Sequence, residues 1–205
     1  MSHETEQELF WQGSFGEQYT ARNSGEELLA SNRRLFAKFL DSVGPISSIC
    51  ELGANKGLNL RALKDFLPNA TMTGLEINQY AYEQLNSLDY VNAVHGSILS
   101  TEFSQSFDLV FTKGVLIHLP PEHLTEVYRK IADLTTKYAL FIEYFNPAPT
   151  EIPYRGYRQK LFKRDFAGEF LDISPRFRIR DYGFVWRRDP LFPQDDLNWF
   201  LMEKS

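Results

Sequence analysis

Residues 47–60, Ser-Ser-Ile-Cys-Glu-Leu-Gly-Ala-Asn-Lys-Gly-Leu-Asn-Leu, constrain the fold of this chain more than any other stretch. An apolar strand runs into an acidic residue, then a turn containing Gly53 and Gly57, then a helix. Glycine has no side chain to obstruct a neighbour, so backbone is expected to pass close to a bound molecule at both positions. A strand feeding a helix through such a turn points to a nucleoside-containing cofactor held beyond the strand ends.

Strand and helix patterns alternate after that turn. Ser24-x-x-Glu27 reads as a capping box, and Leu28, Leu35, Phe36, Phe39, Leu40 and Val43 follow at helical spacing until Gly44-Pro45. Strands are expected at 46–52, 71–76, 90–94, 107–112 and 138–144, with helices near 57–67, 78–88 and 121–134. Residues 176–187 and 197–203 read as two further strands with no helix between them, which implies an antiparallel hairpin at the sheet edge. The expected fold is α/β: a doubly wound, mostly parallel seven-stranded sheet in a single domain spanning 1–205. Within it, residues 1–44 would be an N-terminal arm and helix, 45–145 a cofactor-binding core, 146–175 a substrate insertion with a helix near 163–172, and 176–205 the hairpin.

A chain of 205 residues suffices for one substantial core. No segment approaches the run of about 18 apolar residues that spans a bilayer, and the polar start lacks a signal-peptide apolar region, so a cytoplasmic protein without membrane contact is expected. Cys50 is the sole cysteine and sits in an apolar strand pattern, which excludes an internal disulfide and predicts a buried thiol. The net charge of -5 argues against a nucleic-acid partner. Residues 154–188 nevertheless hold ten Arg or Lys against four acids, a local excess that suits an anionic small molecule or a solvated charged face.

Spacing separates the nucleotide motifs that share the strand-turn-helix outline. A dinucleotide fingerprint starting at Gly53 needs glycine at positions 55 and 58, where Asn55 and Leu58 stand. A P-loop needs Lys after its last glycine and then Ser or Thr, whereas Lys56 precedes Gly57. What remains, Glu51-x-Gly53-x-Asn55-x-Gly57, resembles the first motif of class I S-adenosylmethionine-dependent methyltransferases, with Asn55 in place of the middle glycine. Asn enters left-handed backbone readily, so the turn can survive that replacement. An ordinary tight strand-to-helix turn is the competing reading.

That resemblance implies a Rossmann-like sheet and S-adenosylmethionine as cofactor, and later strand ends can be checked against it. Glu76, at the end of the second strand beside Ile77, can accept hydrogen bonds from both ribose hydroxyls. Ser97 and Ile98 follow the third strand, where such enzymes place a polar group on the adenine amine and an apolar one on its face. Phe111-Thr112-Lys113-Gly114-Val115-Leu116-Ile117-His118 resembles the fourth-strand motif, with backbone near Lys113 and Gly114 meeting the methionine part. Trp11, Tyr19 and Arg22 would close over that end, Arg22 on the carboxylate, or the arm's aromatics simply anchor it by burial.

A closer resemblance spans nearly the whole chain. Glu6-x-x-x-Phe10-Trp11-x-Gly13-x-Phe15-Gly16-x-x-Tyr19-x-x-Arg22-Asn23, Glu51-Leu52-Gly53-Ala54-Asn55, Glu151-Ile152-Pro153-Tyr154-Arg155-Gly156, Leu161 to Glu169 and Pro193-Gln194-Asp195-Asp196-Leu197 look like the pseudaminic acid biosynthesis-associated methylases. The resemblance implies methyl transfer to a small sugar-type acceptor, acidic or nucleotide-activated, in nonulosonic acid or surface-glycan pathways. Tyr144, Tyr154, Arg155, Arg158, Lys163 and Arg164 are the expected acceptor contacts, since guanidinium clamps carboxylate or phosphate. His118 is the first candidate base for a hydroxyl acceptor and Glu143 the second. His3, His95, His118 and His123 form no metal-ligand spacing. The competing function is a non-catalytic cofactor-binding protein of a glycan assembly pathway, which would keep Glu76 and need no base.

Overall fold

The computed structural model describes residues 4–23 and 25–205; the expected cap at Ser24 and His3 lie outside the described residues. In chain order the described residues form α1 (Glu6–Gln12), α2 (Ser14–Arg22), α3 (Glu26–Leu40), β1 (Ser48–Leu52), α4 (Leu58–Phe66), β2 (Thr71–Glu76), α5 (Gln79–Asn86), β3 (Val91–His95) and β4 (Phe107–Lys113). Two short 3-10 turns at Leu116–His118 and Pro121–His123 lead into α6 (Leu124–Leu134), β5 (Thr135–Glu143), β6 (Thr150–Glu151), β7 (Phe162–Lys163), α7 (Phe166–Ile173), β8 (Phe177–Val185) and β9 (Leu197–Lys204).

Seven strands form one sheet in the order β3-β2-β1-β4-β5-β9-β8. The first five run parallel, and β9 enters antiparallel between β5 and the edge strand β8. The order reverses between β1 and β4, so the crevice beyond their carboxyl ends is the switch point where a doubly wound sheet accepts a ligand.

Beyond an irregularity between Phe107 and Leu109 in β4, side chains alternate across the central strands, because successive residues of a strand point to opposite faces. Ile49, Leu109, Phe111, Leu140 and Ile142 pack with α3 and α4 residues such as Phe36, Leu60 and Leu63 on one face. Cys50, Leu52, Val110, Ala139 and Phe141 pack with Val127, Ile131 and Phe170 of α6 and α7 on the other. The same alternation puts Glu51 and Lys113 on the first face and Glu143 on the second. Cys50 is fully buried, and burial pushes its thiol far above the ordinary range.

Three sequence expectations change. The N-terminal arm is helical: Thr5 accepts from the Glu8 N–H while the Glu8 carboxylate accepts from the Thr5 N–H, a capping box that starts α1. The insertion helix begins at Phe166 rather than 163, since Phe162 and Lys163 pair with Thr150 and Glu151 in a small separate hairpin. Strand β5 starts three residues early, at Thr135, because α6 ends directly against it and Thr135 caps the Ile131 carbonyl (2.7 Å). No helix among the described residues is long and apolar enough to cross a membrane.

Candidate active site

The β1–α4 turn is built from left-handed backbone. Gly53, Asn55 and Gly57 have φ of 80°, 48° and 81°, the region that glycine and asparagine enter at low cost. A side chain at Gly53 would strike Val115, whereas one at Gly57 would strike Leu85 and Leu88. Gly57 therefore serves helix packing rather than the close approach to a ligand expected from its spacing. Asn55 does more than fill a left-handed slot: its N–H donates to Glu76 Oε2 (2.7 Å) and its Nδ2 to Thr20 Oγ1 of α2 (2.9 Å).

A cavity of about 460 Å³ opens beyond these strand ends. Its floor is Gly53, Asn55, Glu76, Ile77, Ser97 and Ile98 from the ends of β1, β2 and β3, joined by Lys113 and Gly114 after β4. Trp11, Gly16, Tyr19 and Thr20 of the arm roof it, and His118, Tyr144, Tyr154 and Arg155 wall the far end. Asn78 fastens the roof, donating from Nδ2 to the carbonyls of Trp11 (2.9 Å) and Gln12 (3.1 Å).

Glu76 is buried with its two oxygens accepting the N–H groups of Asn55 and Asn78, 2.7 Å each. Burial raises its carboxyl above the usual range and these bonds oppose the rise. The Ile77 N–H opposes it too, and the lone pair that these N–H groups leave on the carboxylate can accept from a hydroxyl. Gly114 has φ +66°, and a side chain there would meet no protein atom within 4 Å, so it would project into the cavity. Trp11 Nε1, Asn59 Oδ1 and Gln194 Oε1 are buried on residues lining the cavity and have no hydrogen-bond partner among the described residues. Buried polar atoms are normally paired, so these three are unsatisfied polar groups on residues around the cavity.

His118 stands at the junction between the two ends. Its ring packs against Trp11 (centroids 4.6 Å) and Tyr154 (5.0 Å). Nδ1 lies 2.6 Å from the Lys160 carbonyl; a carbonyl only accepts, so Nδ1 bears the proton and Nε2 offers a lone pair. Burial lowers the imidazole to about 4 against the opposing pull of that carbonyl, so His118 is neutral near pH 7.

Several expected site residues lie elsewhere. Glu143 is buried beneath the β4 turn, its carboxylate accepting from the N–H groups of Val115 and Leu116 at 3.1 Å; burial raises it to about 7. It braces the segment carrying Gly114 and His118 and does not reach the cavity. Glu51 is also fully buried outside the lining, raised by burial to about 8 and bonded to Asn59 Nδ2 (2.6 Å). Arg22 turns away and lies over Phe15, 6.0 Å from the ring centre. Of the expected basic clamp only Arg155 lines the cavity. Arg164 pairs with Glu169 (2.7 Å), Lys163 lies over the Tyr144 ring (4.8 Å), and Arg158 is exposed outside the lining.

Asp195 and Gln194, on the β8–β9 connection, reach the cavity from 50 residues beyond Tyr144 in sequence. The Asp195 carboxylate, after burial, raises the Tyr144 hydroxyl above the ordinary phenol range. It also helps hold up the Lys113 ammonium, which burial lowers to about 8 and Glu51 and Asp195 support. Neither residue has a local signal, although the Pro193 to Leu197 run belongs to the resemblance noted above.

A family model described as a methyltransferase domain matches residues 49–137, from β1 to the start of β5. The chain has the class I methyltransferase fold. Its backbone is similar to mitomycin 7-O-methyltransferase (15% identity, TM-score 0.70), covering 98% of this chain and 61% of that one. It is similar also to magnesium protoporphyrin IX methyltransferase from Synechocystis PCC 6803 solved with SAM (14%, TM-score 0.69, 100% of both chains). A glycopeptide N-methyltransferase superposes with a TM-score of 0.64 at 15% identity over 85% of this chain and 95% of that one. No curated protein matches in sequence. The arm, the insertion and the C-terminal hairpin, which roof and wall this cavity, all lie outside the matched residues.

Proposed function

We propose that the protein is an S-adenosylmethionine-dependent methyltransferase acting as one domain, in the cytoplasm, on a hydroxyl of a small sugar-type acceptor. The acceptor class is an acidic or nucleotide-activated sugar of nonulosonic (pseudaminic) acid or surface-glycan biosynthesis. One observation carries the reading: a single cavity joins the three strand ends suited to a nucleoside with an imidazole whose Nε2 is free.

When bound, the cofactor supplies an electrophilic methyl group on a sulfonium. Glu76 would hold the ribose diol, Ile77 and Ile98 the faces of the base, and Gly114 leaves room for the chain that follows. The roof of Trp11 and Tyr19 excludes water and restricts the acceptor to the side of His118, Tyr154 and Arg155. Displacement at a methyl group needs attacking and leaving atoms in line, so alignment supplies most of the acceleration. His118 Nε2 takes the hydroxyl proton as the bond forms, because a neutral imidazole with Nδ1–H engaged has that one basic site. Arg155 pairs with the acceptor's anionic group.

Incubation with radiolabelled cofactor and a panel of nonulosonic acids, their nucleotide-activated forms and glycan precursors tests the proposal. Label appearing on a hydroxyl oxygen is the expected result. Label on an amine would overturn O-transfer, and cofactor binding without transfer to any of the panel would overturn the acceptor class.

A further inference from the structure

We propose that Glu8, carried on α1, reads the amino edge of the cofactor's adenine together with Ser97, so that the N-terminal arm rather than the sheet selects the base. The inference rests on the cavity being an S-adenosylmethionine site, and it adds a residue that neither strand pattern nor resemblance assigns.

A nucleoside laid along the sheet from β1 to β3 meets the Asn55 turn, then Glu76, then the residues after β3. With the ribose at Glu76, the base falls between Ile77 and Ile98, and its polar edge faces Gly96 and Ser97. The end of β3 contributes no carboxylate there: His95 is exposed and bonds back to the Ile77 carbonyl (3.1 Å). A carboxylate arrives instead from the roof. Glu8 lines the cavity, and its Oε1 accepts the Ser97 hydroxyl proton.

The geometry fixes which Glu8 oxygen faces inward. Oε2 accepts the Thr5 N–H at 2.6 Å, and Thr5 Oγ1 accepts the Glu8 N–H at 3.1 Å, so the capping box sets the side chain. Ser97 Oγ accepts the Leu99 N–H at 3.0 Å, which leaves its proton directed at Glu8 Oε1. Partial burial works against the Glu8 charge, but the bonds from Ser97 and Thr5 outweigh it and hold the carboxyl below its usual range. An ionised carboxylate only accepts. Adenine presents an N–H donor at its six position, whereas hypoxanthine presents an oxygen there that a carboxylate repels.

Isothermal titration of the full chain with S-adenosylhomocysteine and with its deaminated analogue, S-inosylhomocysteine, tests this. Glu8→Gln is the informative variant. Glutamine keeps the capping box by accepting the Thr5 N–H, and its amide NH2 then faces Ser97 and the base. The wild type should bind the adenine ligand at least about tenfold tighter than the inosine ligand, as a site with a committed polar partner does. Glu8→Gln should abolish or reverse that ratio with far-UV circular dichroism unchanged, and Glu8→Ala, which also removes the Glu8 half of the capping box, should flatten it. Equal wild-type affinities, or a ratio retained in Glu8→Gln, would overturn the assignment while leaving the cofactor reading intact. Failure of the wild type to bind S-adenosylhomocysteine at all would overturn both.

Discussion

Glu143 separates two roles that a buried carboxylate near an active site can play. As a brace it holds the Val115 and Leu116 N–H groups, 3.1 Å each, in the turn between Gly114 and His118. Glu143→Ala leaves both donors buried without a partner. At about 1–3 kcal/mol per orphaned group, the loss is roughly 2–6 kcal/mol. For a domain of this size that lowers the thermal midpoint by roughly 5–20 °C. At pH 5, where the wild-type carboxyl is protonated, Glu143→Gln keeps an acceptor oxygen and should unfold within about 1 kcal/mol of the wild type, and by pH 7.5 it should be the more stable of the two. The pH dependence gives the second readout. Burial raises the folded carboxyl from 4.5 to about 7, so the unfolded chain loses its proton first as pH rises. Stability from this group is fully present below 4.5 and is lost between 4.5 and about 7, roughly 3 kcal/mol in all. Urea unfolding at pH 5 and pH 7.5 should show that slope in the wild type and a flatter one in Glu143→Gln. An alanine variant with an unshifted midpoint would refute the bracing argument. So would a glutamine variant of normal stability whose turnover falls a hundredfold, because that loss belongs to a base.

His118→Ala should reduce methyl transfer by about 10²–10⁴-fold while S-adenosylhomocysteine affinity stays within a few-fold; undiminished turnover removes His118 from the chemistry. Because burial lowers its pKa from 6.5 to about 4, its contribution to stability is present above 6.5 and is lost as pH falls towards 4, a slope that His118→Ala should remove from acid unfolding curves. Arg155→Ala should raise the acceptor's Michaelis constant and Arg158→Ala should not, since only Arg155 lines the cavity; equal effects would return the expected clamp to the surface loop. Asn55→Val should destabilise the chain by about 1–3 kcal/mol in chemical denaturation, because a β-branched residue resists the left-handed φ of 48° and the Thr20 bond is lost. Asn55→Gly should recover the backbone part of that cost.

The parts of the site that lie at strand ends were legible because a strand end is local information. Apolar runs bounded by Gly, Asn and Glu fix where β1, β2, β3 and β4 stop, and a parallel sheet brings every carboxyl end to one side. Gly53, Asn55, Glu76, Ser97 and Gly114 therefore meet in one cavity. The Thr5–Glu8 capping box that starts α1 was not read from the sequence, since a seven-residue helix with no buried residue carries no apolar periodicity to mark it.

Face and direction decided what was misread. Glu143 and Tyr144 are neighbours at the end of β5, yet alternation sends one under the β4 turn and the other into the cavity. Arg155 and Arg164 share a basic segment, but Glu169 takes the second through a bond that only the packing of α7 creates. Asp195 arrives from a distant connection because β9 inserts between β5 and β8, which sets the start of β9 beside the end of β5.

The sequence by itself determined the parallel sheet, its switch point and the row of polar residues beyond its strand ends. Periodicity and turn chemistry act over a few residues and carry that information directly. Tertiary structure alone decided which nitrogen of His118 is free, which carboxylates brace and which line the cavity, and that Glu8 meets Ser97 across 89 positions. Those outcomes depend on partners brought together by burial of the two faces of the sheet, and no local pattern records them.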